Sequence, residues 1–242
     1  MTLESLLLSR DVEVVRVMRP TLEKLSIQVA ICQEAKKASE ILFGEKFDAV
    51  IVDCDDLPGG REVLQGLRAT PSNKNSVTFA VLNGKKTTTQ EAFGMGVNFV
   101  LQKPINNLNA ARCFQAALNF MERERRRYYR QPVKMPVRMV LDEKQLRATS
   151  TNISEGGIAL MSDKAIPKNW RPRLHFTLPQ TGMVFEVDSE VAWVDIKGHV
   201  GLRFHNVPQR SQEQLEQWLV EQMAQQPPSS NQKLQGASSE AL

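Results

Sequence analysis

Cysteine is scarce in this chain. Cys32, Cys54 and Cys113 are its only three, scattered and without a C-x-x-C pair. That excludes a disulfide-built scaffold and a zinc site and fits a reducing compartment, so the expected location is the cytoplasm. Long apolar runs are missing too. No stretch is long enough to span a bilayer, so no membrane partner is expected. Residues 1–10 lack a basic start followed by an apolar core and a small-residue cleavage site, so no signal peptide is read there. The three histidines (His175, His199 and His205) have no metal-ligand spacing and no accompanying nucleophile motif. They are read as surface or strand residues, leaving no catalytic set, no metal and no cofactor to expect. No helix-turn-helix pattern and no run of exposed aromatics is present, which ranks nucleic acid low as a partner.

What is present fits an ordinary globular protein. The 242 residues are 41% hydrophobic and 24% charged, enough for two modest domains. The net charge of +4 is mild but unevenly placed. Residues 121–130 hold five arginines against two glutamates, a local basic patch rather than a basic surface. Positive charge gathered at one point favours a small anionic ligand over a polyanion.

Two periodicities divide the chain. In the first half strand-like and helix-like segments alternate. Residues 6–8 form a short apolar run, and Asp11 is a plausible N-cap for an amphipathic stretch to Leu25 that contains Pro20. Residues 27–31, 49–52, 77–82 and 98–101 read as strands, and 34–43, 61–68, 89–95 and 106–127 as helices. Strict alternation implies a doubly wound parallel sheet of five strands. After Arg130 the strands become short and turns frequent, at 133–141, 145–151, 157–161, 174–178, 183–194 and 200–204. Such spacing without helices implies an antiparallel barrel or sandwich, with residues 212–223 as a closing helix. Residues 225–242, rich in Gln, Pro, Ser and Asn, read as a disordered tail. The fold class is therefore α/β plus all-β, divided at 1–122, 123–224 and 225–242.

Two short segments carry most of the chemistry. Arg126-Arg127-Tyr128-Tyr129-Arg130 is an R-x-x-x-R with a further arginine inside it, and Asn152-Ile153-Ser154-Glu155-Gly156-Gly157 is an N-x-S-x-x-G. Guanidinium forks bind phosphate bidentately and stack on flat bases. An amide, a hydroxyl and permissive glycine backbone on a tight turn suit a base edge. The two motifs, in this order and with Val191-Ala192-Trp193-Val194 and Gly201-Leu202-Arg203-Phe204 behind them, resemble the PilZ domain from about Glu124 to Met223. The resemblance implies a small antiparallel β-barrel and a non-enzymatic receptor for cyclic di-GMP. Arg126 and Arg130 would then lie on phosphate or guanine, with Arg127 next in line. Asn152 and Ser154 would lie at a guanine edge or phosphate, and Gly156 and Gly157 would let the backbone turn and approach the ligand. Ile153 should face the barrel interior, and Trp193 and Phe204 are read as core.

Residues 3–122 resemble a response-regulator receiver domain, through Asp53 after the third strand, Pro58-Gly59, Met95-Gly96 and Lys103-Pro104. The departures are substantial. Ser9-Arg10 stands where receivers carry Mg²⁺-holding acids, leaving only Asp11 nearby. Leu82 or Asn83 stands where a Ser or Thr would contact a phosphoryl group. The loop from Asp53 to Pro58 is one residue longer than usual. Asp53 is thus the phosphoacceptor's counterpart without its full chemistry. The competing reading is a pseudo-receiver used for contact with an unknown protein partner or for homodimer formation, in an adaptor whose barrel needs no ligand.

Overall fold

The computed structural model describes residues 2–141 and 144–225. The predicted tail, 225–242, lies outside the described residues from 226 onward. Among the described residues no helix is long and apolar enough to cross a membrane. The chain divides into two compact units, one ending at Arg125 and the next beginning at Arg126.

The first unit is β1 (Leu3–Leu8), α1 (Val12–Lys24), β2 (Ile27–Cys32), α2 (Ala35–Gly44), β3 (Ala49–Asp53), α3 (Gly60–Leu67), β4 (Val77–Leu82), α4 (Thr89–Gly94), β5 (Phe99–Gln102) and most of α5 (Asn107–Tyr128). Its five strands pair in parallel in the order β2-β1-β3-β4-β5. That doubly wound order is the receiver-like fold. Every residue of β3 and β4 is buried, as the continuous apolar runs require of strands covered on both faces. Alternation then splits each strand between two cores. Leu6, Leu8, Val50 and Val52 pack on one side with Leu42 and Leu64. Leu7, Ile51, Phe79 and Val81 pack on the other with Met18 and Phe114. Asp11 caps α1 by accepting from the Glu13 N–H, and the helix continues through Pro20. Thr88 and Glu91 form a capping box that starts α4.

The second unit holds β6 (Gln131–Pro132), β7 (Pro136–Leu141), β8 (Lys144–Ser154), β9 (Gly157–Met161), β10 (Arg173–Thr177), β11 (Val184–Val194), β12 (His199–His205) and α6 (Gln209–Gln225). The order β6-β8-β7-β10-β11-β12-β9, with a further β8–β9 pairing, closes six antiparallel strands into a barrel. Met139, Ile153, Leu160, Leu174, Phe176 and Leu202 fill it, and α6 covers it with Leu215, Trp218 and Leu219. Phe176 and Phe185 stack at 5.3 Å. Two sequence expectations fail here. β8 runs past Thr151 through Asn152 to Ser154, so these residues lie on the strand and not on the tight turn that follows it. Trp193 is 49% exposed, not core, whereas Phe204 is buried as expected.

Candidate functional site

Two β-bulges build the outer face on which the second motif lies. On β8 the register against β9 slips between Ser150 and Asn152, so Thr151 is the extra residue. Ser150 and Ile153 are both fully buried. A strict two-residue period would have turned Asn152 inward and Ile153 out; the bulge reverses that. On β11 the register against β12 slips between Val191 and Trp193. Phe185, Val187 and Ser189 point inward, and Trp193 would follow them but for the bulge. Both bulges re-aim a side chain to the same surface. Trp193 pairs with Gly201, Gly201 with Ala159, and Ala159 with Asn152. The adjacent row is Glu190, Arg203, Gly157 and Ser154.

The floor between these side chains is flat because its residues are small. A Cβ on Gly201 would stand 2.2 Å from the Trp193 Nε1, so the indole lies directly on the glycine backbone. A Cβ on Gly157 would meet the Leu202 carbonyl oxygen at 2.4 Å. Gly157 is therefore required by the approach of β12. Gly156 has nothing within 4 Å of where its Cβ would be, so packing does not demand a glycine there. The Gly156 carbonyl accepts from the Phe204 N–H at 2.9 Å, pinning the turn to β12. The Ser154 hydroxyl donates to the Gly157 carbonyl at 3.2 Å.

A cleft of about 740 Å³ opens over this floor, within the range of small-molecule sites. It is lined by Arg127, Arg130, Asn152, Ser154, Glu155, Gly156 and Gly157, and also by Trp193, Gly201, Arg203 and Gln212. Six of the seven residues singled out from the motifs thus meet on one surface. The seventh, Arg126, reaches the turn through Glu155, with Nε 3.8 Å from Oε1. Arg130 is turned toward the end of α5 (Asn107–Tyr128). Its Nη1 donates to the carbonyls of Arg127, Tyr128 and Tyr129 at 3.0–3.1 Å. A guanidinium there satisfies orphan carbonyls and complements the negative end of the helix. Trp193, Arg203 and Glu155 were not singled out as site residues. Arg203 could have been found from its place between the apolar, inward-facing Leu202 and Phe204, whereas no local signal marked Trp193. The histidines stand elsewhere: His175 lies beside Glu186, His199 beside Asp195 and His205 beside Glu190.

The receiver-like unit has its own polar cluster at the C-terminal ends of β1 and β3. Lys103 Nζ donates to Asp11, Asp53 and Asp56 at 2.6–2.8 Å, and the Ser9 hydroxyl donates to Asp53 at 2.8 Å. The sequence left only Asp11 near Asp53; the loop after β3 brings Asp56 in as a third carboxylate. Arg10 does not oppose the cluster, because its Nε donates to the Gln33 carbonyl. Asn83 follows β4 and bonds the loop through Asp55 and Asp56. One oxygen from each of Asp11, Asp53 and Asp56 lies within 4.8 Å of the others, a donor set of the kind that suits a hard divalent cation. The Lys103 ammonium already contacts all three, so a cation would have to displace it. Hydrogen bonding to Lys103 holds the Asp11 and Asp56 carboxyls below the usual range. Burial alone would lower the pKa of Lys103, but the three carboxylates outweigh it and raise it. Burial pushes the neighbouring Cys54 thiol up to about 12, which keeps it protonated at neutral pH.

Residues 124–221 match the family described as PilZ domain. None of the curated proteins matches the chain. Among solved structures, the receiver domain of a sensor histidine kinase from Pseudomonas aeruginosa PAO1 is 21% identical, covering 49% of this chain and 99% of its own at a TM-score of 0.44. The inhibitor of motility MotI from Bacillus subtilis is 25% identical over 43% of this chain and 53% of its own, at 0.37. YcgR from Escherichia coli, solved with cyclic di-GMP, is 23% identical over 41% and 46%, at 0.36. The chain spans about half the length of the last two.

Proposed function

We propose that this chain, whose residues 124–221 are a PilZ domain, is a non-enzymatic receptor for cyclic di-GMP. The observation that carries the reading is the convergence of both motifs on one cleft, where Arg127, Arg130, Asn152 and Ser154 surround a glycine floor edged by Trp193. Cyclic di-GMP has two phosphodiester charges and two guanines. The guanidinium groups answer the phosphates or the guanine O6/N7 edge, and the Asn152 amide can both accept from and donate to a base edge. The Trp193 indole, half exposed and held on Gly201, offers a face for a base to stack on. The YcgR structure with cyclic di-GMP is consistent with this ligand class.

Arg130 now bonds the α5 terminus with one nitrogen, and ligand binding would redirect the guanidinium toward the cleft. In this reading the end of α5 reorders on binding, and the reorientation of the two halves is relayed to a protein partner. Calorimetric titration tests the receptor reading. Wild type should bind cyclic di-GMP at low-micromolar concentration, and Arg126→Ala and Arg130→Ala should each weaken it at least tenfold, the scale of a lost charge-assisted bond of about 1.5–3 kcal/mol. Unchanged affinity in both variants would contradict the reading. Small-angle scattering with and without ligand tests the relay; identical profiles would remove it.

The second reading, a ligand-independent adaptor, draws on the first unit. Its ammonium-filled acid cluster suits a pseudo-receiver that serves for protein contact. Phosphorylation of Asp53 belongs to the opposite case, and acetyl phosphate followed by intact mass measurement separates the two.

A further inference from the structure

We infer that Glu155 is an internal competitor of the ligand, a carboxylate built into the recognition turn that holds Arg126 until a phosphate displaces it. The inference rests on the receptor reading above. Glu155 follows Ser154 and precedes Gly156, whose carbonyl is tied to the Phe204 N–H, so its backbone position is fixed by the barrel. Its side chain is only 14% exposed, against 32% for Arg126, and it lines the cleft. The cleft-lining residues include three guanidinium groups (Arg127, Arg130 and Arg203) and one carboxylate, Glu155. A cyclic dinucleotide therefore brings two negative charges to a cleft that already contains one.

The geometry of the pair shows which way the competition runs. At 3.8 Å, Arg126 and Glu155 attract as charges but do not make a hydrogen bond. Such a contact orients the guanidinium weakly and exchanges readily. A phosphate oxygen at hydrogen-bonding distance, with a second fork bond, outcompetes it. Binding then loses the Arg126–Glu155 attraction and gains a like-charge neighbour, both of which weaken affinity. The side chain thus raises the ligand concentration at which the receptor fills. It also couples filling to release of Arg126 from the turn.

The test is calorimetric titration of the full chain with cyclic di-GMP, comparing wild type, Glu155→Gln and Glu155→Asp. Glu155→Gln keeps the shape and removes the charge, and should bind roughly three- to fivefold more tightly, the upper part of the scale of one partly exposed ion pair. Glu155→Asp keeps the charge and should stay within about twofold of wild type. In an Arg126→Ala background the gain from Glu155→Gln should shrink. Should Glu155→Gln fold poorly, as read from its melting curve, Glu155→Ala gives the same comparison. Equal or weaker binding by the neutral variants would overturn the inference while leaving the receptor intact, because Glu155 would then be a positioning group for Arg126. Equal tightening by Glu155→Asp would also overturn it, since charge would not be the cause. No uptake by wild type would overturn the receptor reading and this inference with it.

Discussion

Trp193 shows how one inserted residue changes a side chain's task. In Val191-Ala192-Trp193-Val194 the aromatic reads as core, and period-two counting from Phe185 through Val187 and Ser189 agrees. The bulge at Ala192 reverses the parity, so Val194 packs against the core and Trp193 lies outside on Gly201. Nothing local in the sequence marks the bulge; only the partner strand reveals it. Asn152 is re-aimed in the same way, yet was legible because the motif named it. Two expectations follow for single residues. Trp193→Ala should weaken cyclic di-GMP binding by about 1–3 kcal/mol, the contribution of one stacked base, while Trp193→Phe should retain most of the affinity in the same titration. Gly201→Ala should act nearly as strongly, because the added methyl group would occupy the place of the indole; a red shift of tryptophan emission would report the displaced ring.

At the scale of elements, the parallel sheet was legible because its strands are continuous apolar runs. Ala49-Val50-Ile51-Val52 can be covered only on both faces, and its five residues through Asp53 are buried. β8 was less legible. In the sequence its strand reads only to Thr151, because Asn152-Ile153-Ser154-Glu155-Gly156 is polar enough to read as a turn; within the strand, buried Ser150 is satisfied by donating to the Val133 carbonyl and accepting from the Met135 N–H. The Lys103 cluster was half legible, since Asp56 enters only through the three-dimensional course of its loop. Lys103→Met should destabilise the receiver-like unit by about 2–3 kcal/mol. That is less than for a wholly buried pair, because Asp11 and Asp56 reach solvent. The pH dependence should change sign as well. In wild type the Asp11 and Asp56 carboxyls are held low, so their stabilisation is present above their unfolded pKa of about 3.9 and is lost as pH falls through the folded value. Without the ammonium the carboxylates repel, their pKa values rise, and stability should increase as pH is lowered from 7 toward about 5. Amide exchange along Val50–Asp53 reads both effects.

Over the whole molecule, the two units use their charges differently. The first ties three of its carboxylates to the single ammonium of Lys103; the second gathers arginines around a cleft. The passage from parallel sheet to antiparallel strands was legible in the change of periodicity after Arg130; strand spacing alone left barrel or sandwich open, because closure rests on the β8–β9 pairing, a property of the fold and not of either strand. All three tryptophans, Trp170, Trp193 and Trp218, lie in the second unit, so tryptophan emission reports on that unit alone. Cyclic di-GMP at a hundredfold excess over Kd should stabilise it by about 2.7 kcal/mol and raise its emission-monitored melting temperature. Affinity should fall with added salt, as phosphate contacts by several arginines require.

The most direct measurement is a nitrogen–proton NMR spectrum of the tryptophan indoles during titration with cyclic di-GMP. The indole N–H of Trp193 should shift or broaden in step with the amides of Asn152–Gly157 and Gly201–Arg203, while those of buried Trp170 and Trp218 stay nearly still. A saturating titration that leaves the Trp193 signal and those amides unmoved would contradict the account.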